Sequence, residues 1–121
     1  MTQLPSRSLA ADPDGFQTAP ADLALLNELA LYTLDLTDID SKAELMARLA
    51  QTFKFPDSFG HNWDALYDAL QDALGGPSAL HLLGWGEFQT RCPELAGPLR
   101  GVLLDAQEAL RDAEVSLWLL V

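Results

Sequence analysis

An α/β domain with a three-stranded, mostly parallel sheet packed with helices is the fold class this sequence predicts, and three observations predict it. Apolar and polar residues alternate over Leu31–Leu36, and two further short apolar runs follow at Ser78–Leu83 and Val115–Val121. Longer segments with helical periodicity separate the three runs. Crossovers of that length join parallel strands, because an antiparallel pair needs only a short turn. The chain has 121 residues, 49% of them hydrophobic, which suits one domain able to bury its own core.

The elements follow in order. Met1–Ala21 carries Pro5, Pro13, Pro20 and Gly15, with Leu4, Leu9 and Phe16 as its sizeable apolar residues. Such a segment buries too little to offset its ordering entropy, so a flexible tail is expected over 1–21 and a single domain over 22–121. Asp22–Ala30 sets Leu23, Leu25, Leu26 and Leu29 among polar residues and fits either a short helix or the lead-in to a strand. Leu31–Leu36 has the period of two that marks a strand. Ser41 with Glu44 three residues on is a capping box, so a helix starts there. Leu45, Met46, Leu49 and Phe53 form its buried stripe, and Phe55-Pro56 ends it, since a residue before proline is pushed out of the α region.

A turn-rich loop, Pro56–His61, feeds a second helix from Asn62 to about Leu74, stopped by Gly75-Gly76-Pro77. Ser78–Leu83 is the second strand, broken by Gly84-Trp85-Gly86, and a short helical turn covers Glu87–Arg91. Pro93 opens a long helix to about Ala113 with Leu95, Leu99, Val102, Leu103, Ala106 and Leu110 inward; Gly97 and Pro98 are expected to interrupt its first turns. Val115–Val121 is apolar at nearly every position, as strands covered on both faces are, and is therefore expected at the centre of the sheet.

Charge narrows the function. Eighteen Asp and Glu face seven Lys and Arg, a net charge of −11 and a pI near 4.2. Nucleic acid and anionic membrane surfaces call for a cationic face, so neither is an expected partner; a basic protein is. Cys92 is the single cysteine and no Cys/His cluster has metal-ligand spacing, which fits a reducing compartment. The N-terminus lacks a signal-peptide pattern and no apolar run approaches the ~20 residues that span a bilayer, so a cytoplasmic monomer is expected. His61 and His81 stand beside no nucleophile motif, and the glycine turns at 75–77 and 84–86 lack the residues of a phosphate-binding loop. The chain is read as having no catalytic residue, no cofactor and no metal site.

The second helix is where recognition is expected. Advancing about 100° per residue from Asn62 puts Trp63, Leu66, Leu70, Ala73 and Leu74 near 80° and Asp64, Asp68 and Asp72 near 240°. One face packs; the other is a stripe of three carboxylates at i, i+4 and i+8, a small repulsive cost. Between Lys54 and Arg91 there is no basic residue. That stripe is either a solvated face or a surface for a cationic cleft, where carboxylates accept bidentate hydrogen bonds from arginine. Tyr67 falls on the flank between the two faces, where an aromatic either anchors an interface or covers the core edge.

Phe55–Leu70 resembles the signature of barstar-like proteins, intracellular inhibitors of barnase-type ribonucleases: Pro56, an aromatic at Phe59, Gly60, then Asn62-Trp63-Asp64-Ala65-Leu66-Tyr67-Asp68. The resemblance extends more loosely over about Leu31–Val121, with the same β-α-α-β-α-β order, and implies a barstar-like parallel sheet. It implies that the loop and the acidic helix plug the substrate cleft of a basic extracellular-type ribonuclease or another cationic toxin. The partner-binding residues so implied are Phe59, Gly60, Asn62, Asp64, Tyr67 and Asp68, with Asp68 the central charge and Asp72 extending the stripe. Gly60 stands where the loop is expected to need a positive φ. The chain departs from the pattern at Ser58, where an aromatic is usual, and at Gln71-Asp72-Ala73, where the best-known members have a Thr-Gly-Trp-type helix end. The acidic contact on the last helix falls among Asp105, Glu108 and Asp112. A different reading keeps the fold as a non-inhibitory binding module whose acidic face docks another basic protein.

Overall fold

The computed structural model describes Phe16 and residues 29–121. Along the chain come β1 (Ala30–Asp35), α1 (Lys42–Phe53), α2 (Trp63–Ala73), β2 (Ser78–Leu83), α3 (Trp85–Arg91), α4 (Pro93–Asp112) and β3 (Leu117–Leu120). All strands run parallel, β1 registered on β2 from Ala30↔Ser78 to Asp35↔Leu83 and β2 on β3 from Ser78↔Leu117 to His81↔Leu120. The expected α/β architecture is present.

The sheet order is β1-β2-β3, so the central strand is β2 and not the C-terminal strand. The apolar run at the C-terminus reports coverage of its two faces instead of its place in the sheet. Leu117 and Leu119 join the core under the helices, while Leu120, one residue out of phase, is fully buried on the opposite face. β2 holds the centre while carrying the half-buried His81, because each crossover sets the next strand beside the last.

Local chemistry explains the boundaries. Ser41 Oγ accepts from the Glu44 amide at 3.1 Å and donates to Glu44 Oε1 at 3.1 Å, closing the capping box. α1 ends at Lys54, in the left-handed region with φ 56°. α4 ends at Asp112 with Ala113 as its C-cap, and the residue after the cap, Glu114, is left-handed with φ 64°. Pro98, the sixth residue of α4, lies inside the helix without interrupting it. α3 begins two residues earlier than expected because Gly84, at φ 79°, turns the chain directly into it; a Cβ there would also lie 2.8 Å from Thr37 Cγ2.

Leu34, Leu80 and Leu82 on one face of the sheet meet Leu45, Leu49, Leu66, Leu70, Leu99 and Leu103 from the helices in one apolar core. Two arginines tie the β1–α1 turn. Arg91 donates to the Asp40 carboxylate at 3.0 Å and to the carbonyls of Leu36 and Ile39; Arg48 donates to the Asp35 carbonyl and bridges Asp38 at 3.2 Å. The Asp35 carboxylate accepts from the Thr37 hydroxyl at 2.6 Å and its amide at 3.0 Å, which holds the Asp35 pKa below its ordinary value. The rest of the expected tail and of the 22–30 lead-in up to residue 28 lies outside the described residues. Phe16 is fully buried, its ring edge-on to Trp85 at 5.0 Å.

Candidate functional site

The loop before α2 hangs on a ladder of rings. Tyr32 in β1 packs on Phe53 at 4.8 Å, Phe53 on Phe55 at 5.5 Å, Phe55 on Phe59 at 4.8 Å and Phe59 on His61 at 5.0 Å. Phe59 is 8% exposed, so most of its ring anchors the loop and only an edge reaches the surface. Its amide donates to the Pro56 carbonyl at 2.9 Å and tightens the turn. Asn62 caps α2: its Oδ1 accepts from the Ala65 amide at 2.8 Å, and its Nδ2 donates to the Gly60 carbonyl at 3.1 Å.

The expectation of a positive φ at Gly60 is corrected. The left-handed residue of this loop is His61, with φ 52°. Gly60 instead sits close to its neighbours: a Cβ there would lie 3.1 Å from Asn62 Nδ2 and 3.3 Å from Ala65 Cβ, a tight fit beside the capping side chain.

α2 buries Leu66 and Leu70 and leaves Asp64, Asp68 and Asp72 exposed, as the helical arithmetic requires. Residues four apart advance about 40° around a helix, so the stripe drifts across the crest of α2. Asp64 faces a groove of about 410 Å³ between α2 and α4, where Trp63 and Tyr67 meet Asp105, Glu108 and Asp112. Asp68 and Asp72 face a second groove, of about 530 Å³, between α2 and the loop that carries Phe55, Ser58 and Phe59. α2 is thus a ridge with a carboxylate-lined furrow on each flank.

No Lys or Arg lines the α2–α4 furrow; Lys42 Nζ lies over the Trp63 ring, 5.6 Å from its centroid. Among the described residues, no three His, Cys, Asp or Glu side chains converge as a metal site. No helix among the described residues is long and apolar enough to cross a membrane. Four carboxylates beside two half-buried aromatics suit a cationic, planar group better than a neutral one.

Residues 29–121 match the Barstar (barnase inhibitor) family. The chain belongs to the barstar family. The match takes in every strand and helix described above, starting one residue ahead of β1. No curated protein matches the chain. In this barstar-family fold the residues singled out from the sequence divide by role. Asp64, Tyr67, Asp68 and Asp72 line the grooves; Asn62 and most of Phe59 hold the loop, and Gly60 sits close beside Asn62. Asp105, Glu108 and Asp112 were not resolved into a site by sequence alone. Their spacing of three and four residues, with Val102 and Ala109 interleaved, is one stripe on α4, but its pairing with α2 is a tertiary fact.

Proposed function

We propose that this protein is a stoichiometric, non-enzymatic inhibitor of a cationic ribonuclease, laying α2 and its preceding loop into the nuclease's substrate cleft. The observation that carries the reading is the α2–α4 groove: Asp64, Asp105, Glu108 and Asp112 present carboxylates where an RNA-cutting enzyme would hold phosphate with basic groups. Membership of a family described by barnase inhibition supports the same partner class. Asp68 stands one helical turn from Asp64 and one from Asp72, which makes it the central charge of the ridge. Attraction between such a face and a basic cleft speeds encounter, and pairs that lose water on docking lengthen residence. The inhibitor acts in the cytoplasm as an immunity protein, as a monomer, against a toxin whose damage would otherwise fall on the producing cell.

The test is capture from source cells and their medium with the wild-type chain and an Asp64→Ala/Asp68→Ala variant as paired baits. A basic ribonuclease is recovered by the wild type alone and is inhibited when the protein is added back. Among single variants, Asp68→Ala raises Kd most, by more than about tenfold, with Asp64→Ala next. Recovery of the same partner by both baits, or of a protein without nuclease activity, refutes the reading.

A further inference from the structure

Every second side chain of β1, β2 and β3 stands on the face of the sheet turned away from the core. Register sets them in rows: Leu31, Ala79 and Trp118 in one, Thr33, His81 and Leu120 in the next, then Asp35 and Leu83. Burial across this outer face is uneven. Ala79 and Leu120 are fully buried and His81 and Trp118 half-buried, whereas Thr33 is exposed and Leu31 and Leu83 are 40% and 41% exposed. Leu120 is the telling residue, because β3 is an edge strand, and on an open face an edge-strand side chain would meet water from above and from the side. Apolar surface is therefore packed over the β2–β3 half of the face, stopping short of β1 and of Leu83. The four helices are accounted for elsewhere. Their buried side chains gather with Leu34, Leu80, Leu82, Leu117 and Leu119 in the core, and neither Ala79 nor Leu120 belongs to that core.

Phe16 and Ala30 fix the two ends of the chain between them. Phe16 enters the core beside Trp85, just past the C-terminal end of β2, with the two rings 5.0 Å apart. Ala30 opens β1 at the other end of the sheet, where its amide donates to the Pro77 carbonyl at 3.1 Å and it pairs with Ser78. Joining the two requires a return along the strands, about 17–20 Å for a strand of six residues. Residues 17–28 are long enough in any conformation, since twelve residues reach about 18 Å at the helical rise and about 40 Å when extended. The core side is filled by helices, so the outer face is the open route. The composition suits it: Leu23-Ala24-Leu25-Leu26 is an unbroken apolar run, followed by the half-buried Leu29.

We propose that residues 17–28 pack across the β2–β3 half of the outer face, with the leucines of 23–26 against Ala79, Trp118 and Leu120. The folding unit then begins at Phe16 instead of at β1, and the sheet becomes a middle layer between the helices and the chain's own N-terminal segment. Burial of apolar surface drives the docking, and two fixed ends keep the segment at high local concentration over the sheet. The α2 furrows lie in the helix layer, so this docking stands or falls independently of the inhibitor reading.

The experiment is a methyl NOESY of the full chain, ¹³C-labelled at the leucine and alanine methyls, repeated with isotope filtering on an equal mixture of labelled and unlabelled chains. Cross-peaks are expected between the methyls of Leu120 and those of at least one of Leu23, Leu25 and Leu26, and none of them in the filtered spectrum. Their absence from the first spectrum overturns the proposal. Their appearance in the filtered spectrum overturns it too, by making a second copy the occupant of the face. Both spectra use the wild-type chain, so the result does not depend on a variant that folds. In the full chain carrying Leu25→Ser and Leu26→Ser, the Ala79 methyl and Trp118 indole resonances are expected to move while the Asp64 and Asp68 amides stay in place. Unmoved Ala79 and Trp118 resonances would leave residues 25 and 26 off the sheet and overturn the proposal.

Discussion

Asn62 uses both ends of its amide inside the loop–helix junction, so the residue most recognisable in the motif works first on the protein's own backbone. Replacing it with alanine removes a helix cap and is expected to cost about 1 kcal/mol in chemical denaturation. Asn62→Asp keeps the acceptor and the favourable charge at the helix start, and loses only the bond to the Gly60 carbonyl, so its cost is smaller. Equal costs for the two variants would show that the bond to Gly60 carries the effect instead. Phe16 makes the complementary case. It lies outside the family match, in a stretch whose composition reads as a tail, and is nonetheless fully buried against Trp85. Phe16→Ala is expected to destabilise the domain by about 3–5 kcal/mol, read from urea unfolding. A change within a few tenths would place Phe16 outside the cooperative unit.

At the scale of elements, α2 does two jobs at right angles. Leu66 and Leu70 fix it to the core, which leaves a ridge whose two flanks open onto different neighbours, α4 on one side and the loop on the other. β3 shows what a short strand at a sheet edge can carry. It brings Leu117, Leu119 and Leu120 into buried positions, pairs with β2 and accepts a 2.8 Å hydrogen bond at the Leu117 carbonyl from Gln107 of α4. Deleting 115–121 would strip one edge of β2 and expose the apolar underside of α4. The truncated chain is expected to lose cooperative thermal unfolding followed by circular dichroism. A sharp transition in the truncated chain would show that β1, β2 and the helices suffice.

For the whole molecule, the net charge of −11 is unevenly compensated. Arg48 and Arg91 pair with Asp38 and Asp40 at the β1–α1 turn, while both furrows of α2 keep an excess of carboxylates. Stability should also follow pH through His81. Burial in β2 lowers its pKa from the ordinary 6.5, because the charged imidazolium loses water there. The unfolded chain therefore binds the proton more readily, and stability present above about pH 6.5 is lost as pH falls below that value toward the lowered folded-state pKa. Scanning calorimetry should give a lower Tm at about pH 5.5 than at about pH 7.5, with a smaller difference in His81→Gln. An identical difference in the variant would assign the effect to other groups. Asp35 has the same sign further down: its lowered pKa gives stability above its ordinary value of 3.8 that is lost as pH falls below it.

The sequence by itself determined the local grammar: the Ser41–Glu44 capping box, the period of two in β1, the stripe of three aspartates and the crossovers that require parallel strands. Each is written within a few residues, where propensity, hydrogen bonding and periodicity act without help from distant parts of the chain. Tertiary structure decided what depends on which elements become neighbours. Placing β2 at the centre, setting Asp105, Glu108 and Asp112 of α4 across from Asp64, and gathering Ser58, Asp72 and Ala73 around one cavity all join residues far apart in sequence. Apolar pattern reports that a face is covered, and leaves open by what. Only the packing of helices on the sheet settles that, because side-chain complementarity across elements has no signature within either element alone.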